Sequence, residues 1–330
     1  MKFPKKPYAW ARLYTLALLL FTLYVVMDTF IIPRAYVVVD AETSQSEVQG
    51  TKTASDAEEA VDGSEETKPI SSPDASSDTS SIFTGEPVIT DNSYSDSNIS
   101  ITIKEYNEYD TSIYVADIYL SSVDYLKTAF ANNTYGKNIT QKTSVIAAAQ
   151  NAILAINGDF YGAQSKGYVI RNGTLYRDAS SGSSQEDLVI YTDGSFDIIS
   201  EGAVSASELL DNGALQVFSF GPGLVYNGEI SVTSDKEVGK AMASNPRTAI
   251  GIIDKLHYVM VVSDGRTKAS SWLTLYELAA FMNGLGVTTA YNLDGGGSSA
   301  MYFNGNVVNN PTTSGKKISE RKVSDIVYIG

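Results

Sequence analysis

Hydrophobic and polar positions divide the chain into three stretches. From Leu13 to Ile32 nearly every residue is apolar, and Asp28 carries the only charge. A helix of about 20 such residues crosses a bilayer's hydrocarbon core, and no polar face interrupts this run. Lys2, Lys5, Lys6 and Arg12 crowd its N-terminal side, which keeps residues 1–12 cytoplasmic and sends the remainder outside. Pro33-Arg34-Ala35-Tyr36 lacks a small-x-small cleavage pattern. Residues 13–32 therefore read as an uncleaved transmembrane signal anchor in preference to a removed signal peptide. Residues 33–86 are rich in Ser, Thr, Asp and Glu, as in Ser55-Asp56-Ala57-Glu58-Glu59. Such a segment buries too little apolar surface to offset its ordering entropy and reads as a disordered spacer.

Residues 87–330 alternate apolar and polar positions, the period of half-buried strands. Ile99 to Tyr106 and Ser112 to Leu120 read as a hairpin turning at Asn107 to Thr111. Asn172-Gly173, Asp193-Gly194, Asn227-Gly228 and Asn304-Gly305 supply the positive φ of tight hairpin turns. Helices are fewer. Thr143 to Asn151 and Ser205 to Leu210 are short candidates. Leu275 to Asn283 is the strongest, with Thr274 and Glu277 spaced as a capping box and Leu275, Leu278, Ala279 and Met282 on one face. Hairpin-linked strands with a few packing helices predict an α+β class and a single mixed domain.

Composition narrows the chemistry. The formal net charge of −14 argues against a nucleic-acid partner, because phosphate backbones demand basic surface. The chain has no cysteine and one histidine, His257, within an alternating strand pattern. Zinc sites of the usual kind and a Ser-His-Asp triad are both disfavoured. Carboxylates remain as the natural acid–base groups, as in glycoside hydrolysis. No cofactor motif appears, although loop oxygens leave room for a structural Ca²⁺. Nothing in the sequence sets an oligomeric state.

Four candidates lie at strand ends, where the loops of a rigid scaffold concentrate sites. Asn157-Gly158-Asp159 closes an apolar strand and reads equally as a turn or a polar site. Arg247 opens the strand Ala249 to Ile253, positioned to pair with a structural carboxylate or to offer a planar fork to a phosphate. Asp264-Gly265-Arg266 follows the strand Leu256 to Val262 and, alone, is a common turn. Asn292-Leu293-Asp294-Gly295-Gly296-Gly297-Ser298 is the most informative. Three successive glycines suit close backbone approach or an anion-binding nest. No lysine follows them, so the loop is not a nucleotide P-loop.

These motifs together resemble the phosphodiester glycosidase family from about residue 152 to 329. The likeness rests on Asn157-Gly158-Asp159-Phe160, Gly221-Pro222-Gly223-Leu224-Val225, Pro246-Arg247-Thr248-Ala249-Ile250-Gly251 and Asp264-Gly265-Arg266. It continues through Leu275 to Met282, Asn292 to Ser299, and Lys322-Val323-Ser324-Asp325-Ile326-Val327. The resemblance implies an extracytoplasmic hydrolase of sugar-1-phosphodiesters acting on a glycan or glycosyl-phosphate. It implies Asp294 nearest the anomeric carbon, as base or electrostatic partner. Arg247 and Arg266 would grip the phosphate with amides from Gly295 to Ser298. Asn157, Asn292 and Asp159 would meet sugar hydroxyls or water, and Asp264 would hold Arg266 or act as a second carboxylate. The family's best-known member has glycine at the position of Asp159, so that carboxylate is not indispensable across the family, and residues 87–150 match less well. A non-catalytic glycan-binding module and a metal-dependent phosphodiesterase cutting P–O are the alternatives.

Overall fold

The computed structural model describes residues 9–38, 82–233 and 245–330. Helix α1, Ala9–Phe30, covers most of the apolar run and begins ahead of Leu13. The hydroxyls of Thr15 and Thr22 donate back to the carbonyls of Ala11 and Leu18, at 2.9 and 2.8 Å, so these polar side chains are satisfied within the helix as a lipid environment requires. By length and composition α1 can cross a membrane. One expectation changes immediately after it. Arg34–Val38, read from sequence as the start of the spacer, is a strand paired antiparallel with Thr134–Lys137. Most of the predicted spacer, residues 39–81, lies outside the described residues. Thr84 already donates to the Asp96 carbonyl at 2.9 Å, slightly ahead of Pro87.

Three antiparallel sheets form the body. The largest has nine strands and includes Thr289–Asn292, Thr248–Asp254, His257–Ser263, Thr111–Leu120 and Ile99–Glu108 as successive neighbours. A five-stranded sheet orders Asn306–Val307, Met301–Phe303, Leu154–Asn157, Asp325–Ile329 and Leu126–Phe130. A second five-stranded sheet centres on Val169–Arg171, Ala214–Phe218 and Glu186–Tyr191. The predicted Asn-Gly and Asp-Gly turns all join hairpins.

Each sheet turns alternate residues to a shared interior, where Ile101, Ile118, Ile156, Leu188, Phe218, Ile250, Met260 and Val327 meet. The opposite faces each carry one helix. Helix α2, Thr143–Ala149, packs Ile146 and Ala147 against Ala155 and Ile326. Helix α3, Ala206–Asp211, capped by the Ser205 side chain, sets Leu209 against Val189 and Val217. Helix α4, Leu275–Gly284, has the predicted Thr274–Glu277 capping box and packs Leu278 and Met282 on Ala249, Val261 and Ala290. A sheet buried on both faces positions its strand ends rigidly, and those ends carry the candidate site.

Two acidic side chains lie fully inside the second five-stranded sheet. Asp187 and Glu201 are both 0 % exposed, and Glu201 accepts from the Ser219 hydroxyl at 2.7 Å and the Tyr168 amide at 3.1 Å. Burial, then the adjacent Glu201 charge, pushes Asp187 up to about 9. The folded chain thus holds a proton that the unfolded chain releases, so stability falls as pH climbs from 3.8 towards about 9. Asp187→Asn keeps a donor facing Glu201 without the titration. Its melting temperature in detergent should exceed wild type by well over about 4 °C at pH 8, since each pH unit between the two values costs about 1.4 kcal/mol, and match it near pH 4. Equal melting temperatures at pH 8 would contradict the buried-proton reading.

Candidate active site

The strand Leu154–Asn157 ends where the strand Thr248–Asp254 begins, and a buried amide joins them. Asn157 Oδ1 accepts from Thr248 Oγ1 at 2.8 Å and from the Ala300 amide at 3.3 Å. Its Nδ2 donates to the carbonyls of Asp294 at 2.6 Å and Gly158 at 3.2 Å. Asn157 thus positions the backbone of the glycine loop and has no capacity left for a sugar hydroxyl. Asn292 plays a parallel part at the end of Thr289–Asn292. Its Nδ2 donates to the Gly221 carbonyl at 2.8 Å, while its buried Oδ1 has no partner.

The loop that follows folds back tightly. Gly296 donates to the Pro246 carbonyl at 2.7 Å, and Ser298 and Ser299 donate to Gly295 and Gly296 at 3.3 Å. These amides are engaged within the protein, so a fully open anion nest is not what the loop forms. Gly296 has φ +65, and a Cβ there would lie 3.1 Å from Arg266 Nη2. The left-handed backbone favours glycine here, and a Cβ would crowd the guanidinium.

The Asp294 side chain projects from this loop and is 14 % exposed. Arg321 Nη2 lies 3.0 Å from Asp294 Oδ2 and 2.6 Å from Ser298 Oγ, and its Nε donates to the same hydroxyl at 2.9 Å. Burial raises the Asp294 carboxyl above its ordinary range, opposed by Arg321, the Ser298 hydroxyl and the Gly295 amide. On the loop's other side, Arg266 Nη1 donates to the Thr313 carbonyl at 2.6 Å and Nη2 to Asn245 Oδ1. Burial lowers the Arg266 guanidinium, and the charge of Arg321 lowers it further. Two arginines that feel one another, one of them paired with Asp294, put more cations than anions among these three side chains in a chain of net charge −14. An added anion would relieve that repulsion.

Besides that of Asn157, three further sequence-predicted roles change. Arg247 is buried beneath the loop, 2 % exposed, with Nε donating to the Leu273 carbonyl at 2.9 Å; it supports the loop and does not reach outward as a phosphate fork. Asp264 is buried and does not hold Arg266. It accepts from the Asn310 amide at 2.8 Å, Asn310 Nδ2 at 2.9 Å and Asn309 Nδ2 at 3.1 Å, fixing that turn. Asp159 has no exposed side-chain surface. It faces Arg171 Nη2 at 2.9 Å, and the same guanidinium takes Asp325 Oδ2 at 2.8 Å. Burial drives the Asp325 carboxyl upward despite Arg171. This cluster lies beside the Asn157 strand end and stiffens it, since an arginine shared by two carboxylates fixes three elements at once.

Sequence reasoning missed Arg321, Arg171 and Asp325 as partners. The signal for Arg321 was slight: a cation immediately ahead of the closing motif Lys322 to Val327. His257 is, as expected, a strand residue, with Nε2 2.6 Å from Asp117 Oδ1 and its ring stacked on Tyr119 at 3.9 Å. Two well-formed clefts lie elsewhere, one of about 370 Å³ beside Asp193, Phe196 and Asp254, the other of about 190 Å³ beside Lys104, Asp117 and His257. Neither is lined by a candidate site residue. Among the described residues, no group of three or more His, Cys, Asp or Glu side chains converges as a metal site would.

A family model for phosphodiester glycosidases matches residues 150–330. A Bacillus subtilis SPbeta prophage-derived protein, YomE, is 28% identical over 192 residues, covering 57% of this chain and 30% of its own length. The mouse N-acetylglucosamine-1-phosphodiester alpha-N-acetylglucosaminidase is 30% identical over 176 residues, covering 48% of this chain and 33% of its own. The chain therefore spans about a third of the length of these relatives. The zebrafish enzyme's catalytic domain, auto-inhibited by its pro-peptide, shares the fold with TM-score 0.55 and 22% identity, covering 70% of this chain and 82% of that one.

The electrostatics of the loop can be read directly. Carbon-13 titration of Asp294 should place its midpoint above that of an ordinary aspartate, and Arg321→Gln should move it higher still, because the lost cation had favoured the charged form. A midpoint that stays put or falls in the variant would show that Arg321 does not act on this carboxylate.

Proposed function

The chain belongs to the phosphodiester glycosidase family, and from that premise we propose that it hydrolyses the anomeric C–O bond of a sugar-1-phosphodiester outside the cytoplasm, tethered by α1. The observation that carries this reading is Asp294, a raised carboxylate set between Arg321 and the Arg266-flanked glycine loop. Charge of both signs at one strand-end loop is what this reaction needs.

The departing group is a phosphate monoester, whose second ionisation lies near pH 6, so expulsion at neutral pH needs little help from a general acid. Asp294 in its ionised form takes a proton from water as the water oxygen bonds to the anomeric carbon. The bond from the anomeric carbon to the bridging oxygen breaks, and its electron pair leaves on that oxygen with the phosphate. That phosphate gains a second negative charge in the step, and Arg321 and Arg266 are placed to receive it. The binding energy of two guanidinium groups thus grows towards the transition state, which is the condition for acceleration. Asn157, Asn292, Arg247 and the Asp159–Arg171–Asp325 cluster act through position, by holding the loop. Asp264 acts one turn further away, on Asn309 and Asn310.

The test is the full chain in detergent, an N-acetylglucosamine-1-phosphodiester and ¹⁸O-labelled water. Label should enter the free sugar and not the phosphate, and Asp294→Asn should lower kcat by about 10²–10⁴-fold, the usual worth of a positioned base. Label in the phosphate would make the protein a P–O phosphodiesterase, and binding without turnover would make it a glycan-binding module. Full activity in Asp294→Asn would remove the carboxylate from the mechanism.

A further inference from the structure

The strand Arg34–Val38 leaves the membrane-spanning helix with only a short turn between, at residues 31–33, and adds directly to the edge strand Thr134–Lys137. The contact is built into both partners. A Cβ on Gly136 would overlap the Arg34 carbonyl oxygen and lie 2.8 Å from Ala35 Cα, so glycine is what lets the two backbones meet. Asn138 Nδ2 donates to the Thr29 and Ile32 carbonyls at 3.1 and 3.3 Å, binding the carbonyl end of α1 to the folded domain. The Tyr36 and Tyr135 rings pack at 5.7 Å. A domain held by a paired strand and a helix-end clasp does not swing on a tether, whatever the length of chain that follows.

The face nearest this attachment is basic in a chain of net charge −14. Arg34 pairs in register with Lys137, and Lys142 with Lys322. Arg321 precedes Lys322, and the Asn138 amide donates to the Gly162 carbonyl at 3.0 Å. Against these stand Asp28, which pairs with Arg34, Asp294, which pairs with Arg321, and Glu320, whose carboxylate accepts from Ser144 at 2.6 Å. The surplus is cationic, and Phe160, 43% exposed, lies two residues from Gly162. Gly162 packs against Ser324, and Ser324 to Arg321 spans at most about 10 Å of chain. The basic face therefore runs from the helix end to the arginine that pairs with Asp294.

We propose that this face seats on an anionic bilayer surface and holds the Asp294 site at the lipid headgroups, so that the substrate is a lipid-borne sugar-1-phosphodiester. The proposal rests on the hydrolase reading for its substrate and on α1 spanning the membrane for its geometry. Electrostatic attraction of a basic patch to anionic lipid acts within about a Debye length, which is why direct attachment matters. A long tether would let the same domain reach soluble polymers equally well.

The experiment uses the full chain in phosphatidylcholine vesicles with and without phosphatidylglycerol. A Phe160→Cys chain carries a fluorophore at its single cysteine, with Asp193→Cys as the comparison, and headgroup spin-labelled lipid as quencher. Position 160 should be quenched severalfold more than position 193, most strongly with phosphatidylglycerol. Gly136→Ala, or the combined Lys137→Gln, Lys142→Gln and Lys322→Gln chain, should abolish the difference. Equal quenching at both positions, or quenching indifferent to both sets of changes, would overturn the seating. A second arm compares a long-chain lipid sugar-1-phosphodiester in the vesicle with a short soluble diester of the same sugar. Gly136→Ala should lose about tenfold on the lipid-borne substrate and little on the soluble one; equal loss on both would overturn the substrate assignment. Hydrolysis of neither diester by wild type would refute the lipid-borne substrate and the hydrolase reading together, while the quenching result still decides the seating.

Discussion

The carboxamide of Asn157 is the contact on which the geometry of the site depends. One oxygen holds the start of a strand in the nine-stranded sheet and the amide of Ala300, while one nitrogen holds the backbone of Asp294 and Gly158. Each bond adds only about 1 kcal/mol net, but loss of the group would strand several buried partners at about 1–3 kcal/mol each. No other side chain type of this size both donates twice and accepts. Two sheets are thereby registered at their ends, and the glycine loop leaves that junction at a fixed angle.

Behind the junction, charge is arranged in layers. The Asp159–Arg171–Asp325 cluster is sealed from solvent and keeps one more carboxylate than cation. In front, Asp294 sits with Arg321 and Arg266, where cations are in excess. The buried layer cannot exchange its partners for a ligand, because its groups have none of the exposure that exchange needs. The front layer can, since Arg321 is 41% exposed and Asp294 14%. This division separates residues that hold the loop from those free to meet a substrate.

Much of this was legible from sequence where the signal is local. The Asn-Gly turns fix φ within two residues, and the Thr274–Glu277 box marks the start of α4, so hairpins and helix emerged at their predicted places. Asp294 stood out because three glycines follow it. What failed was pairing across the chain. Asp264 was read with its neighbour Arg266, yet its partners are Asn309 and Asn310, and no local rule connects residues that far apart. Arg247 opens a core strand as expected, but the sequence does not reveal that the chain covers it. Arg321 follows an irregular segment with neither period to mark it. Arg34–Val38 was hidden by its place between the apolar helix and the polar spacer, although Tyr36-Val37-Val38 has the β-forming residues of a strand.

In the proposed mechanism Arg321 meets the phosphate of the substrate while Asp294 serves the anomeric carbon. This assignment is tested most directly by comparing Arg321→Gln with wild type on two substrates that share one sugar, a 1-phosphodiester and a neutral nitrophenyl glycoside. With these roles, kcat/KM on the diester should fall by about 10²-fold or more, the usual worth of one transition-state donor, and at least about tenfold further than on the glycoside. An equal loss on both would mean that Arg321 acts only by holding Asp294, and the assignment of a phosphate to this loop would be wrong.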